Sequence, residues 1–510
     1  MIAAPRRPGL ALLAAAVLAW PLRTAGQPLP EAVQQALAQA GVPADALGAI
    51  VLPAGPAPRW APRWAHNADQ PLQPASTLKL LTSVVALHRL GPNHRGFTEL
   101  LTQAPQQGDV LAGDLVLRGG ADPQFDLPQL WAMLLDLRQV HGIRELAADI
   151  VIDRTLFHPA QPQRDATPFD ERPEFAYNLA PDALQLNSHL LQIELRRDGP
   201  GTAVQARALP ALPGLQIDAS ALRSSDRPCA DWAKDWQSPA PSDEPQPGVL
   251  RVRLQGSFPS HCTQRPSLQL VEPLALAERQ LRWVWASLGG VWAGQVREAA
   301  ASPATPPGLR LLASHVAAPW GELLRTLNKH SSNVYSRLLY LLLGVPAMAD
   351  HPGVPTRVLA DRAVRQWLAE QRIAAPGLVL DNGSGLSRTE RISPRTLAQV
   401  LQAAHRGPWG PELLMSLPIA GVDGTLRNRF ASGPASGQAR LKTGLLRNVV
   451  SLAGYVADPH GRPWVLVAMV NHDNAAAARP ALDALVDWVA GGGMAAGAAR
   501  ALNPLPAPAR

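Results

Sequence analysis

The sequence predicts an α+β fold in which an antiparallel sheet flanked by helices is interrupted by a β-rich insertion. Three observations lead there. Two short strand patterns lie near the start of the chain, and three more lie near its end. Between them the pattern changes twice, from a helix to short alternating runs and back to helices. Strands contributed by both ends of a chain close one sheet most simply when the intervening material is set into it as an insertion. A length of 510 residues gives ample chain for a large core, and 46% hydrophobic with 17% charged residues describes a globular protein.

The elements follow in order. The start, "MIAAPRRPGLALLAAAVLAWPLRTAGQPLP", has a charged Arg6-Arg7 pair, an apolar stretch from Leu10 to Trp20 and a small-residue exit at Thr24-Ala25-Gly26. This is the layout of an export signal cleaved near Gly26, without the remainder of a twin-arginine motif. "LGAIVLP" (Leu47 to Pro53) and "PRWAHN" (Pro62 to Asn67) read as strands around a proline-rich turn. "STLKLLTSVVALHRLGP" reads as a helix, with an apolar stripe at Leu78, Leu81, Val85 and Leu87 and a stop at Gly91-Pro92.

From about Arg95 to Val271, short alternating runs such as "DVLAGDLVLRGG" and many prolines indicate β-rich material. After Glu272, "WGELLRTLNKHSSNVYSRLLYLLLG" gives two helices around a polar break, followed by helices in "TRVLADRAVRQWLAEQRI" and "SPRTLAQVLQAAHRG". The end gives strands "ARLKTG", "VVSLAGYVA" and "PWVLVAMVN", then helix "PALDALVDWVA". The expected organisation is a signal at 1–26, a main domain of 27–96 and 272–491, and a β-rich inserted domain of 97–121 and 181–271. A disordered tail spans 492–510.

Composition narrows the function. A net charge of +7 suits an anionic surface such as an acidic polymer or, loosely, a membrane face. No basic cluster interleaved with aromatics is present, which argues against nucleic acid. No segment after the signal approaches the ~20 apolar residues that span a bilayer, so a soluble, periplasmic protein without a transmembrane anchor is expected. The two cysteines, Cys229 and Cys262, would share an oxidising compartment with no competing partner, which favours one disulfide over two free buried thiols.

The basic residues carry the sharpest signal. The chain has four lysines against 43 arginines. Arginine stays protonated in proteins, whereas a desolvated lysine can lose its proton, so a retained lysine suits work that arginine cannot do. Lys79 lies three residues after Ser76, on the same face of the predicted helix. A serine hydroxyl becomes a nucleophile when an adjacent base takes its proton, and a neutral lysine can be that base. Ser331-Ser332-Asn333 falls between two predicted helices, where a helix cap is the plain alternative. Lys442-Thr443-Gly444 falls on a predicted strand. There Gly444 admits a close backbone, Thr443 offers a hydroxyl to a carboxylate, and Lys442 adds a cation that disfavours a charged Lys79.

Ser-x-x-Lys opening a helix, Ser-x-Asn between helices and Lys-Thr-Gly on a strand form the trio of active-site-serine penicillin-recognising enzymes. With "DLVLRGGADP", "YNLAPDALQLNSH", "DNGSGLSRTERISPRTLAQVL" and "SLPIAGVDGTLRNRF", the chain resembles class C low-molecular-mass penicillin-binding proteins of the penicillin-binding protein 4 type. These are D-alanyl-D-alanine carboxypeptidases and endopeptidases. The resemblance covers nearly the whole mature chain. The 255 residues from Ser76 to Ser331 leave room for the family's two inserted domains, and the resemblance implies that the second spans 122–180.

The resemblance implies a penicillin-binding-protein/serine β-lactamase-like domain acting on peptidoglycan stem peptides and acylated by β-lactams. It implies Ser76 as nucleophile, Lys79 as proton acceptor, Ser331 as proton relay and Asn333 as the group that orients the substrate amide. Lys442 and Thr443 would hold the terminal carboxylate, and the Ser76 and Leu445 backbone N–H groups would form the oxyanion hole. Asp170, in "PFDERPEFAYN", loosely matches an acidic residue that meets the substrate's diamino-acid side chain. Leu445 departs from the family's Thr or Ser at that position, which puts carboxylate recognition in question.

No cofactor is implied, and no His-Glu-x-x-His or similar pattern marks a metal site. His330 reads as a surface or packing residue. The glycines of "DNGSGLS" and "AGVDGT" read as turns rather than a phosphate loop, and Trp232 and Trp236 as local core rather than a sugar platform. The rival readings are a β-lactamase, which the long insertion disfavours, and an inactive wall-binding or β-lactam-sensing homologue.

Overall fold

The computed structural model describes residues 28–56, 63–161, 169–170, 172–240, 243–300 and 308–494. The expected export signal and residues 495–510 lie outside them, as do the proline-rich residues 57–62 and the segment just before Phe169.

Both ends of the chain build one antiparallel sheet of five strands. β1 (Leu47–Pro53) and β2 (Trp64–His66) come from the start, and β3 (Ala439–Leu446), β4 (Val449–Ala457) and β5 (Pro463–Asn471) from the end. Their order is β2-β1-β5-β4-β3, with Ala49 opposite Ala468 and Lys442 opposite Ala453. β4 is buried along nearly its whole length because both faces of the sheet are covered, and its apolar run "VVSLAGYVA" meets that demand.

The alternation of side chains divides the core in two. Ile50, Val465, Val467 and Met469 face helices that include α1 (Lys79–Arg89), α2 (Asn333–Leu342) and α3 (Pro394–Arg406). Ala49, Val51, Leu466 and Ala468 face helix Glu31–Gln39 and α4 (Arg479–Ala490). From Lys79 to Leu87 every residue of α1 is buried, so this helix runs through the interior of the domain. Met494 is buried beside α4, so ordered packing continues past the expected limit at 491.

The insertion leaves and returns on adjacent strands, Phe97–Thr102 and Arg310–Val316, which pair antiparallel. Two observations differ from the sequence expectation. Strands within 97–120 join 150–153, 296–298 and 310–316 in one five-stranded sheet, not the material at 181–271. This sheet contains parallel pairs, 115–120 with 150–153 and 150–153 with 296–298. It packs around Leu127–Gln139, a helix absent from the β-rich reading, and around Pro273–Ser287, which the sequence expectation places in the main domain.

A separate core, including Leu191, Ile193, Val252 and Phe258, holds the small sheets between 191 and 268. Parallel pairing joins segments distant in sequence, and the local alternation of each strand carries no trace of its partner. The Cys229–Cys262 disulfide is present and lies in this nested unit. Trp236 is buried there beside Trp232, as core rather than as an open platform. No helix among the described residues is long and apolar enough to cross a membrane.

Candidate active site

Ser76 lies in a 3-10 turn, Ala75–Leu78, that leads into α1, and Lys79 is the first residue of the α-helix proper. Ala75 adopts φ 47°, a left-handed conformation that strains a residue with a β-carbon. Ser76 is half-buried and Lys79 fully buried. Lys79 Nζ reaches Ser76 Oγ at 2.9 Å, Asn333 Oδ1 at 2.7 Å and the Ser384 carbonyl at 2.5 Å.

This geometry bears on the protonation state. An ammonium would donate to all three. A neutral amine has two N–H bonds and one lone pair. Asn333 Oδ1 and the Ser384 carbonyl can only accept, so they take the two N–H bonds, and the lone pair is left for the Ser76 hydroxyl to donate into. Burial first, and then the neighbouring Lys442 cation, pushes the Lys79 amine well below the ordinary lysine range. Glu390 pulls in the opposite direction, and Arg337 adds to the lowering. The arrangement can therefore activate a serine near neutral pH.

Asn333 is held at both ends of its amide. Oδ1 accepts from Lys79 and Nδ2 donates to the Tyr177 carbonyl at 2.9 Å, which fixes its orientation. It begins α2, which Ser332 caps by accepting from the Tyr335 N–H. The cap alternative therefore applies to Ser332, and Asn333 faces the site. Ser331 sits in the turn before it at φ 58°. Among the described residues its hydroxyl has no hydrogen bond to Ser76 or Lys79, so Ser331 does not link the two. His330 is exposed.

Lys442, Thr443, Gly444 and Leu445 lie on β3, an edge strand. Lys442 and Gly444 point to one face and are buried. Thr443 and Leu445 point to the other, and Leu445 is 55% exposed. Burial holds the Lys442 amine down to about 7, and its Nζ donates to the Thr443 carbonyl. A β-carbon on Gly444 would lie 2.1 Å from Ser451 Oγ and 2.9 Å from the Pro74 carbonyl oxygen. Only glycine lets the strand meet the turn that carries Ser76 this closely. Thr443 Oγ1 donates to Thr425 Oγ1, so two hydroxyls stand together on the open face.

Asp170 accepts from the Tyr177 hydroxyl at 2.7 Å, from Asn178 Nδ2 at 2.8 Å and from the Arg172 N–H. Partial burial pushes its carboxyl up, but these donors outweigh it and the net direction is down. Through Tyr177, whose carbonyl binds Asn333, the structure brings Asp170 to the rim of the same site.

Four contributors escaped the sequence reading. Ser384 and Tyr177 act through backbone carbonyls, which leave no residue signature. Thr425 lies in "AGVDGT" and Glu390 in "DNGSGLSRTER", segments that carry the resemblance but in which the sequence gives neither residue a role. The turn reading of those glycines holds, because Gly383 and Gly385 have φ 72° and 78°. A β-carbon on Gly385 would strike the Ala75 carbonyl oxygen, so the 381–387 segment is pressed against the Ser76 turn. Among the described residues no group of three or more His, Cys, Asp or Glu side chains could hold a metal ion.

Comparison with known proteins identifies the family and the fold. Residues 29–491 match the profile of the D-Ala-D-Ala carboxypeptidase 3 (S13) family. The chain is 30% identical over 406 residues to a D-alanyl-D-alanine carboxypeptidase of Actinomadura sp. (strain R39), covering 78% of this chain and 73% of that protein. It is 27% identical over 409 residues to the D-alanyl-D-alanine carboxypeptidase DacB of Haemophilus influenzae, covering 80% and 82%. The crystal structure of penicillin binding protein 4 from Haemophilus influenzae superposes with a TM-score of 0.72 at 24% identity, over 86% of this chain and 93% of that one. With the family profile spanning both halves of the sheet and everything between them, the chain belongs to the D-Ala-D-Ala carboxypeptidase 3 (S13) family and is a serine-type hydrolase with the penicillin-binding-protein fold.

Proposed function

We propose that this protein is an exported D-Ala-D-Ala carboxypeptidase of peptidoglycan that works through a Ser76 acyl-enzyme and is acylated by penicillins at the same serine. The observation that carries the reading is the contact between Ser76 Oγ and a fully buried Lys79 whose other two partners can only accept. Lys79 takes the hydroxyl proton as Ser76 Oγ bonds to the carbonyl carbon of the penultimate D-Ala. The tetrahedral oxyanion lies against the Ser76 and Leu445 N–H groups, donors of a kind that contribute about 3 kcal/mol each. The C–N bond then breaks, and the proton passes through Ser331 to the departing D-Ala amine. Water hydrolyses the ester by the reverse route.

Asn333 orients the substrate amide. Lys442 and Thr443 receive the terminal carboxylate, and Asp170 meets a diamino-acid side chain, which also fits cleavage of a D-Ala–diaminopimelate cross-link. A solved relative, penicillin binding protein 4 of Haemophilus influenzae, is described in complex with a β-lactam, which supports the penicillin part of the reading. Export to the periplasm follows from the signal-like start. Incubation with purified muropeptides and mass spectrometry of the products tests the reading. Release of D-Ala from pentapeptides is expected, cleaved dimers would add endopeptidase action, and unchanged muropeptides would refute it.

A further inference from the structure

The proposed mechanism leaves unused a fully buried carboxyl group. Glu390 is 0% exposed and lies at the end of "DNGSGLSRTE". Its Oε1 accepts from three consecutive backbone N–H groups, those of Asp381 at 3.2 Å, Asn382 at 3.0 Å and Gly383 at 2.9 Å. Its Oε2 is buried and meets no donor among the described residues. The turn held in this way has two further ties. The Gly383 carbonyl accepts from Thr82 Oγ1 on α1 at 2.6 Å and from Ser336 Oγ on α2 at 2.9 Å. The next carbonyl, that of Ser384, accepts from Lys79 Nζ.

We propose that Glu390 is a positioning residue for the Lys79 amine: its carboxylate clamps the turn that presents the Ser384 carbonyl to Nζ, and its negative charge faces a cluster otherwise made of basic groups. The inference rests on the reading of Lys79 as proton acceptor. The groups around Lys79 are Lys442 on β3, Arg337 on α2 and Glu390 on the 381–390 segment. Glu390 itself is faced by Asp381 and by the buried Arg337 and Tyr340 of α2. Burial, Lys442 and Arg337 all disfavour a protonated Lys79, and a base driven too low no longer takes a proton from serine. Glu390 is the opposing charge. It keeps the amine basic enough to work, while the three-amide clamp keeps one of its N–H bonds occupied so that the lone pair stays on Ser76. Burial pushes the carboxyl up and those N–H bonds pull it down, while a protonated Lys79 favours its ionised form, so the carboxylate is charged where the Lys79 ammonium forms.

The test is the rate constant for acylation of full-length protein by benzylpenicillin, followed across pH for wild type, E390Q and E390D. E390Q keeps an acceptor oxygen and loses the charge. Its acid limb is expected to move down by about one pH unit, the size of a unit charge acting across a buried site. E390D keeps the charge and withdraws the oxygen from the amides, so the limb stays in place while the rate falls about tenfold, as for a displaced catalytic group. A limb shared by E390Q and wild type overturns the inference alone. So does an E390D protein that reacts at the wild-type rate, and this arm decides the matter should E390Q fail to fold. A wild-type protein with no acid limb overturns the parent reading of Lys79 and this inference with it.

Discussion

At the scale of the residue, the proposed chemistry needs what lysine does and arginine cannot. Lys79 occupies a site where burial and Lys442 oppose its charge and where two partners accept without donating. Lys79→Arg keeps the charge but cannot serve as the base. The variant should fold, by circular dichroism, and label with fluorescent penicillin at least about a hundredfold more slowly, the span of general-base catalysis. Labelling near the wild-type rate would make Lys79 structural. Lysine scarcity alone does not single out a base, however. Lys329 is also buried, and its Nζ donates to the Leu417 carbonyl and Asp423 in a structural ion pair. Leu445 poses the complementary question. It shares a face of β3 with Thr443, which already meets Thr425. A hydroxyl there can reach the substrate carboxylate, and a hydrogen bond to a charged group contributes roughly 1.5–3 kcal/mol. Leu445→Thr should lower KM for D-Ala-D-Ala peptides by about tenfold or more with kcat nearly constant, the mark of uniform binding. Steady-state kinetics returning an unchanged or higher KM would remove the terminal carboxylate from this face.

At the scale of the element, the site is a meeting of three backbones: the Ser76 turn, strand β3 and the 381–387 segment. Gly444 marks the closest approach. Gly444→Ala forces the strand and the turn apart, an overpacking that typically destabilises by about 1–3 kcal/mol. Urea midpoints and acylation rates should both fall. Gly55→Ala, where an added β-carbon meets nothing within 4 Å, should change neither. If Gly444→Ala acylates like wild type, the strand and turn are not in register with each other as described. The elements themselves were unevenly legible. β1, β4 and β5 read clearly as apolar runs bounded by turn residues, and Ser76, Lys79, Asn333 and Lys442 stood out because their side chains are unusual in their places. Helix Leu127–Gln139 did not stand out: it lies in proline-rich, alternating surroundings, and its start at Asp126 depends on a capping pair with Gln129. The Ser384 and Tyr177 carbonyls could not be read at all, because any residue supplies a carbonyl and only the fold aims it.

At the scale of the whole molecule, one catalytic sheet carries an inserted unit that itself carries a nested β unit, each with its own apolar core. Separate cores predict separable stability. The Cys229–Cys262 bridge spans 33 residues, for which chain entropy gives on the order of 3–4 kcal/mol. Removing it with Cys229→Ala/Cys262→Ala should lower a calorimetric transition of the nested unit and leave penicillin acylation within about threefold of wild type, as expected for distant, independent sites. A loss of acylation in step with that transition would show that the nested unit shapes the site. The bridging stretch in that case is 172–178, where Glu174 accepts from Trp236 Nε1 in the nested core and the Tyr177 carbonyl holds Asn333. The claim on which all scales converge is that Ser76 is the nucleophile. Incubating the protein with benzylpenicillin, digesting it and locating the adduct by mass spectrometry tests that most directly. The account predicts a single penicilloyl group on Ser76, absent from Ser76→Ala; an adduct on another residue, or none, would contradict it.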